Sequence, residues 1–231
     1  MPGAEDGPVT AVRRIRPGER DLALATVIEA FRNDPQVRWY LPDDATYVSG
    51  AGSFFGLLLD LRVDGGEVWV TDDCSAVAMW NPPGGNLVGP EPAAARYAAM
   101  VAALPAPSGA RVTAMDAAVD ELLPHEPHWY LGVLACHPSR QGKGLASAVM
   151  APVLASADRT GLPVALETGT AANAAFYTRR GFAVTGQACL PATIGTSDAA
   201  AGGDVPVWVM LREPIRQVST SPGQRSSIGS S

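Results

Sequence analysis

HPSRQGKGLASAVM, residues 137–150, sets the only lysine of the chain, Lys143, between two glycines, Gly142 and Gly144. Every other permanent cation is an arginine. The stretch follows a near-continuous apolar run, HWYLGVLAC at 128–136, which reads as a central strand buried on both faces. It leads into a segment with helical spacing that ends near residue 159. Strand, glycine loop and helix in succession present backbone N–H groups to an anion. The first turn of a helix has donors without acceptors and carries a partial positive charge, and glycine allows close approach. A turn that uses glycine for its geometry alone is the alternative.

Three phosphate motifs compete for the loop. A Walker loop requires Ser or Thr after Gly-Lys, where Gly144 stands. The dinucleotide fingerprint is approached by Gly142, Gly144 and Ser147, with Glu167 downstream, but that unit opens a doubly wound sheet and here it comes late, after a long mixed prelude. The third pattern, Q/R-x-x-G-x-G/A, is met in full by Gln141-Gly142-Lys143-Gly144-Leu145-Ala146.

Outward from the loop, the chain alternates strand and helix signals. VTAVRRI (9–15) reads as a first strand, and PGERDLALATVIEAF as a helix with Leu22, Leu24, Val27, Ile28 and Phe31 on one broad face. Residues 33–44 carry turn residues at both ends around Trp39 and Tyr40, and a second helix is expected over 46–62. EVWVTDD and SAVAMWNPP form a hairpin. Residues 84–126, rich in Ala and Pro, read as a helical insert with helices near 91–104 and 109–123. LPVALE is a short buried strand, 171–180 a short helix, and FAVTGQACL and VPVWVML two late strands split by a loop at 193–204. This is an α/β chain with mixed strand directions, with residues 1–216 expected as a single domain. A tail over 217–231 has too few apolar residues to offset its ordering entropy and is expected to be disordered.

A formal net charge of −6 and the lack of a dense Lys/Arg patch argue against nucleic acid as a partner and mildly favour a cationic ligand. Cys74, Cys136 and Cys189 are odd in number and form no C-x-x-C pair, which suits a reducing cytoplasm better than a disulfide scaffold or a zinc site. His125 and His128 have no metal-like partners, so no metal is expected. Glu5, Asp6 and the Arg13–Arg16 cluster are unlike a signal peptide, and no apolar run reaches the about 18 residues that a membrane span requires. A cytoplasmic protein, monomer or homodimer, is the expectation.

The Gln141–Ala146 pattern resembles motif A of the GNAT N-acetyltransferases, whose loop cradles the pyrophosphate of acetyl-CoA. LETGTAANAAFYTRRGF (166–182) is similar to that family's strand-helix unit ending in Y-x-x-x-G-F, and the likeness extends over about residues 9–213. Within the family, VWVTDDCSAVAMW, QGKGLASAV and RRGF look like the puromycin N-acetyltransferases; 84–126 and 193–204 match them poorly. The resemblance implies a mixed, mostly antiparallel sheet, splayed between strands 4 and 5, flanked by helices, with the helical insert before strand 4.

The resemblance also assigns roles. Leu134, Ala135 and Cys136 would pair with the pantetheine arm; Gln141, Gly142, Lys143, Gly144, Leu145, Ala146 and Ser147 would hold the pyrophosphate through backbone N–H groups. Lys143 would be a helper beside the diphosphate or a solvated side chain. Asn173 would contact the cofactor, although Thr170 stands where many members have a further Asn. Tyr177, four residues on and so on the same helix face, would be the general acid for the departing thiolate. Glu167, ending a buried strand, is the candidate base through water, or else a carboxylate satisfied by its neighbours. Asp34, Trp39, Tyr40, Trp129 and Tyr130 are the expected acceptor pocket for a cationic, aromatic-bearing amine, as in an aminonucleoside antibiotic. Acetylation of a protein or peptide amine, and a non-catalytic acyl-CoA-binding module, are the alternatives.

Overall fold

The structure, a computed structural model, describes residues 11–84, 91–195 and 203–215. The tail expected over 217–231 lies outside these residues, as do the start of the strand expected at 9–15 and part of the 193–204 loop. In chain order the elements are β1 (Val12–Arg14), α1 (Arg20–Ala30), α2 (Pro35–Tyr40), α3 (Asp44–Gly65), β2 (Glu67–Thr71), β3 (Ala76–Asn81), α4 (Ala93–Ala103), α5 (Ala106–Leu122), β4 (Trp129–Cys136), α6 (Leu145–Thr160), β5 (Val164–Thr168), α7 (Ala171–Thr178), β6 (Ala183–Leu190) and β7 (Val205–Arg212).

The seven strands form one sheet in the order β1-β2-β3-β4-β5-β7-β6. All neighbours are antiparallel except β4 and β5, which run parallel and pair only over Trp129–Leu131 and Val164–Leu166. Beyond that point β4 stays with β3 while Glu167 and Thr168 stay with β7, so the sheet opens into a V. This is the expected splay.

One residue explains where the V begins. The β3–β4 register steps from Met79 opposite Val133 to Trp80 opposite Leu131, leaving Gly132 as an extra residue, a β-bulge. A one-residue slip exchanges the faces of everything beyond it. Trp129 and Leu131 face one side; after the bulge Leu134 and Cys136 join them, while Val133 and Ala135 join Tyr130 on the other. Gly132 is also needed for space, because a Cβ there would lie 2.7 Å from Arg62 Nη2 and 3.1 Å from Tyr130 Cε1.

Two cores result. One packs α1, α2, α3 and α5 against the sheet face that holds Val70, Val133 and Val207. The other packs α6 against Ala78, Trp80, Leu131 and Leu166 and takes in Tyr177 and Phe182. Between the turn residues of 33–44, Asp34 caps α2 by accepting from Gln36 N and Val37 N, with Pro35 at the first helical position. One expectation is corrected. The helix expected at 109–123 starts three residues earlier, because Pro107 is tolerated in a first turn that donates no backbone bond.

Candidate active site

The loop after β4 has the conformation its glycines permit. Gly142 and Gly144 both sit at φ +77°, a left-handed region that side chains with a Cβ adopt only at a cost. A Cβ at either would meet no protein atom within 4 Å, so the loop's inner surface is open. Gly144 is the N-cap of α6 and has no side-chain cap; the first helical bond runs from Ala148 N to Gly144 O at 3.0 Å. The amides before Ala148 therefore have no acceptor within the helix. They face a groove of about 540 Å³ lined by Leu134, Cys136, Gln141, Gly142 and Gly144 through Ser147.

The same groove is lined by Asn173, Tyr177, Arg179 and Arg180. Arg180 lies 3.4 Å over the Phe176 ring and donates from Nε to Ser147 Oγ at 3.0 Å, which ties α7 to the first turn of α6. Gln141 Nε2 donates to Cys136 O at 3.3 Å and fixes the loop to the end of β4. Of the expected loop contacts, Lys143 is exposed and outside the lining, and Ala135 is buried in the opposite core. Burial pushes the Cys136 thiol up, away from a reactive thiolate.

On the other side of the V lies a cavity of about 130 Å³ whose walls come from α2, α3, α4, α5, β4, β5 and α7. Tyr130 donates its hydroxyl to Glu167 Oε2 across the parting strands. Burial raises the Glu167 carboxyl to about 7, against the opposing pull of that hydrogen bond and of nearby Arg62. Asp116 of α5 is raised to about 6 by burial and accepts from the Tyr97 hydroxyl at 3.3 Å. Asp34 lines the cavity too, but its Oδ1 already accepts two amides at 2.9 and 3.1 Å. Tyr40, Phe54 and Tyr97 form an aromatic wall, with centroids 5.3 and 6.4 Å apart.

Leu134, Asn173 and Tyr177 line both the groove and the cavity, so the two spaces meet at the V. Thr170 caps α7 by accepting from Asn173 N at 3.1 Å, and one helical turn then brings Asn173 and Tyr177 to that meeting point. Tyr177 is 8% exposed, its hydroxyl has no hydrogen-bond partner among the described residues, and burial pushes its pKa up.

Two of the five expected pocket residues are elsewhere. Trp129 lies in the α6 core, since neighbours on a strand point to opposite sides, and it is not part of the cavity lining. Trp39 is packed under the Arg111 guanidinium, 5.5 Å from the ring, and does not line the cavity. Arg62, Tyr97 and Asp116 line the cavity without a sequence signal of their own. Among the described residues no cluster of His, Cys, Asp or Glu is arranged to hold a metal, and no helix is long and apolar enough to cross a membrane.

The Acetyltransferase (GNAT) family model matches residues 61–182. Among solved structures, a Corynebacterium glutamicum protein described as histone acetyltransferase HPA2 and related acetyltransferase is similar at 22% identity, covering 90% of this chain and 97% of that one, with a TM-score of 0.58. Arylalkylamine N-acetyltransferase 2 from Aedes aegypti is similar at 11% identity over 88% and 98% of the two chains, TM-score 0.59. Polyamine N-acetyltransferase from Drosophila melanogaster is similar at 14% identity over 88% and 99%, TM-score 0.51. At these identities the structural likeness speaks for the fold.

Proposed function

The chain belongs to the acetyltransferase (GNAT) family, and on that premise we propose that it transfers acetyl from acetyl-CoA directly to the primary amine of a small molecule. One observation carries this reading: an anion-accepting groove and an acidic, aromatic cavity share Leu134, Asn173 and Tyr177 and so meet at one point. Two substrates entering from opposite sides would bring their reactive ends together there. The groove suits a pyrophosphate, having unpaired amides at a helix N-terminus, two open left-handed glycines, and Arg179 and Arg180 beside them. Bound acetyl-CoA would supply an activated thioester.

The protein's own groups then have distinct tasks. Glu167, titrating near 7, takes the proton of an amine that reaches the site largely as ammonium. Tyr130 orients that carboxylate by its hydrogen bond. Backbone N–H groups at the end of β4 polarise the thioester carbonyl. The Tyr177 hydroxyl, kept protonated by burial, would give its proton to the departing sulfur as the C–S bond breaks and the C–N bond forms, and the second proton shed by the attacking nitrogen would restore the tyrosine. Cys136, its thiol pushed up by burial, gives no support to an acyl-enzyme route.

For the acceptor, the proposal is an amine with an aromatic or nucleoside-like body, an antibiotic of the puromycin kind included. Support comes from the Tyr40, Phe54 and Tyr97 wall and from the insert helices, which line one side of the cavity with Tyr97, Val112, Met115 and Asp116. A cavity of about 130 Å³ compares with the about 150 Å³ that holds one benzene. Only the amine-bearing end and a single ring therefore enter. The test is thiol release from acetyl-CoA across aminonucleosides, arylalkylamines, amino acids, aminoglycosides and peptides. Turnover of aryl-bearing amines is expected, and turnover of peptide N-termini alone would overturn the acceptor half.

A further inference from the structure

We infer that Asp116 is a specificity-determining residue that binds a second cationic group of the acceptor, making the substrate an amine with a further ammonium or guanidinium. This rests on the acetyl-transfer reading of the same cavity.

Among the lining residues three carboxylates, Asp34, Asp116 and Glu167, face one guanidinium, Arg62. The three are not equivalent. Asp34 is occupied as a helix cap, and Glu167 accepts from Tyr130 beside Arg62. Asp116 has a single partner, the Tyr97 hydroxyl at 3.3 Å. A carboxylate has about four acceptor sites, so one holding a single long bond has sites left for a cationic donor. Asp120, one turn along α5, adds like charge and gives no relief.

A second observation points the same way. Tyr40 is 7% exposed and lines the cavity, and its hydroxyl has no partner among the described residues. That hydroxyl opens on the cavity, where a ligand can supply its partner. The carboxylates Asp34, Asp116 and Glu167 all bear on that hydroxyl, so it stands in the same negative field. An ammonium beside Asp116 would donate to the carboxylate and to Tyr40 while lying against the Tyr40 and Tyr97 rings. The acceptor's first amine gives its proton to Glu167 and reacts; its second cation stays charged and is held at Asp116. Carboxylate and phenol at that place distinguish a diamine from a monoamine of the same shape.

The test uses the full chain and isosteric pairs, 1,4-bis(aminomethyl)benzene against 4-ethylbenzylamine and 1,5-diaminopentane against hexan-1-amine. Binding is read by calorimetry, and kcat/KM by thiol release from acetyl-CoA. Wild type should favour the diamine of each pair by about ten- to hundred-fold, the range of a charge-assisted hydrogen bond. Asp116→Asn should bring the ratio to about one or below, with Asp116→Ser making the same comparison if the first variant does not fold. A wild type that binds the monoamine as well as the diamine, or binds neither, overturns the inference, as does a preference that survives loss of the carboxylate. Binding preference for the diamine without turnover of any amine would sink the transferase reading and leave this one standing. Equal turnover of both amines would do the reverse.

Discussion

The Tyr130 hydroxyl donates to Glu167 Oε2 across the gap where β4 leaves β5. Glu167 lies two positions past Ala165, the residue opposite Tyr130 in the parallel register, so the bond reaches the first residue beyond the paired segment. It joins the strand that carries the bulge at Gly132 to the strand end that carries the candidate base.

That bond sets an expected pH dependence. The reactive form of Glu167 is the carboxylate, so kcat/KM should rise with pH through about 7. The donor favours the charged form, so Tyr130→Phe should raise the Glu167 pKa and move the acid limb to higher pH. Activity should fall most at pH 6 and least well above the limb, and Glu167→Gln should abolish the limb. The substrate amine adds a separate limb near about 10. A Tyr130→Phe profile superimposable on wild type would show that Glu167 is not the titrating base.

Gly144→Val is expected to separate cofactor binding from folding. The left-handed φ of +77° penalises a Cβ by about 1–2 kcal/mol, a loss that a folded domain of this size tolerates. The new side chain meets no protein atom within 4 Å at its Cβ and projects into the open loop surface. Calorimetry should show CoA affinity down by about tenfold or more, the equivalent of about 1.4 kcal/mol. Unchanged affinity would remove the loop from the binding site.

Arg111 is expected to hold the insert to α2 and to the segment that follows β6. It is 2% exposed and donates to Trp39 O at 2.6 Å, Ala192 O at 3.0 Å and Ile194 O at 3.0 Å. One guanidinium thus serves carbonyls from α2 and from the segment after β6. Arg111→Ala should cost about 3 kcal/mol or more, since each unsatisfied buried carbonyl costs about 1–3 kcal/mol. Arg111→Lys should recover only part, because an ammonium lacks the fork that reaches all three. Urea midpoints decide the matter; a loss within error of zero would mean that water replaces the guanidinium.

The local signals were legible. The Gln141–Ala146 pattern, the apolar run of β4 and the hairpin of β2 and β3 depend on neighbours in sequence, and the elements appear where those neighbours place them. The division of β4 between two faces was less so, because it turns on Gly132. A glycine inside a strand is the known sign of a bulge, yet its effect on facing shows only once β3 fixes the register. Trp129 and Tyr130 illustrate the cost, since adjacent side chains on a strand point to opposite faces and these two enter different cores. Arg62, Tyr97 and Asp116 had no local pattern at all. They come from α3, α4 and α5, and only tertiary packing carries them to Glu167.

Tyr177→Phe is the variant that tests the chemistry most directly. The ring belongs to the α6-side core, with Phe176 and Phe182 at centroid distances of 5.2 and 5.8 Å, and Phe preserves those contacts. Only the hydroxyl is lost, and it has no partner among the described residues, so no hydrogen bond of the protein is broken. Stability should therefore hold or rise slightly. Burial raises the hydroxyl's pKa and keeps it a donor across the working pH range, as a proton source for a leaving thiolate must be. The expected loss in kcat is about 10²–10⁴-fold, the range of a positioned proton transfer, with CoA affinity nearly unchanged. The loss should shrink for acyl donors whose thiol leaves without help, since a weaker base needs less protonation. A kcat near wild type would assign the proton to water and leave Tyr177 as packing at the point where the groove and the cavity meet.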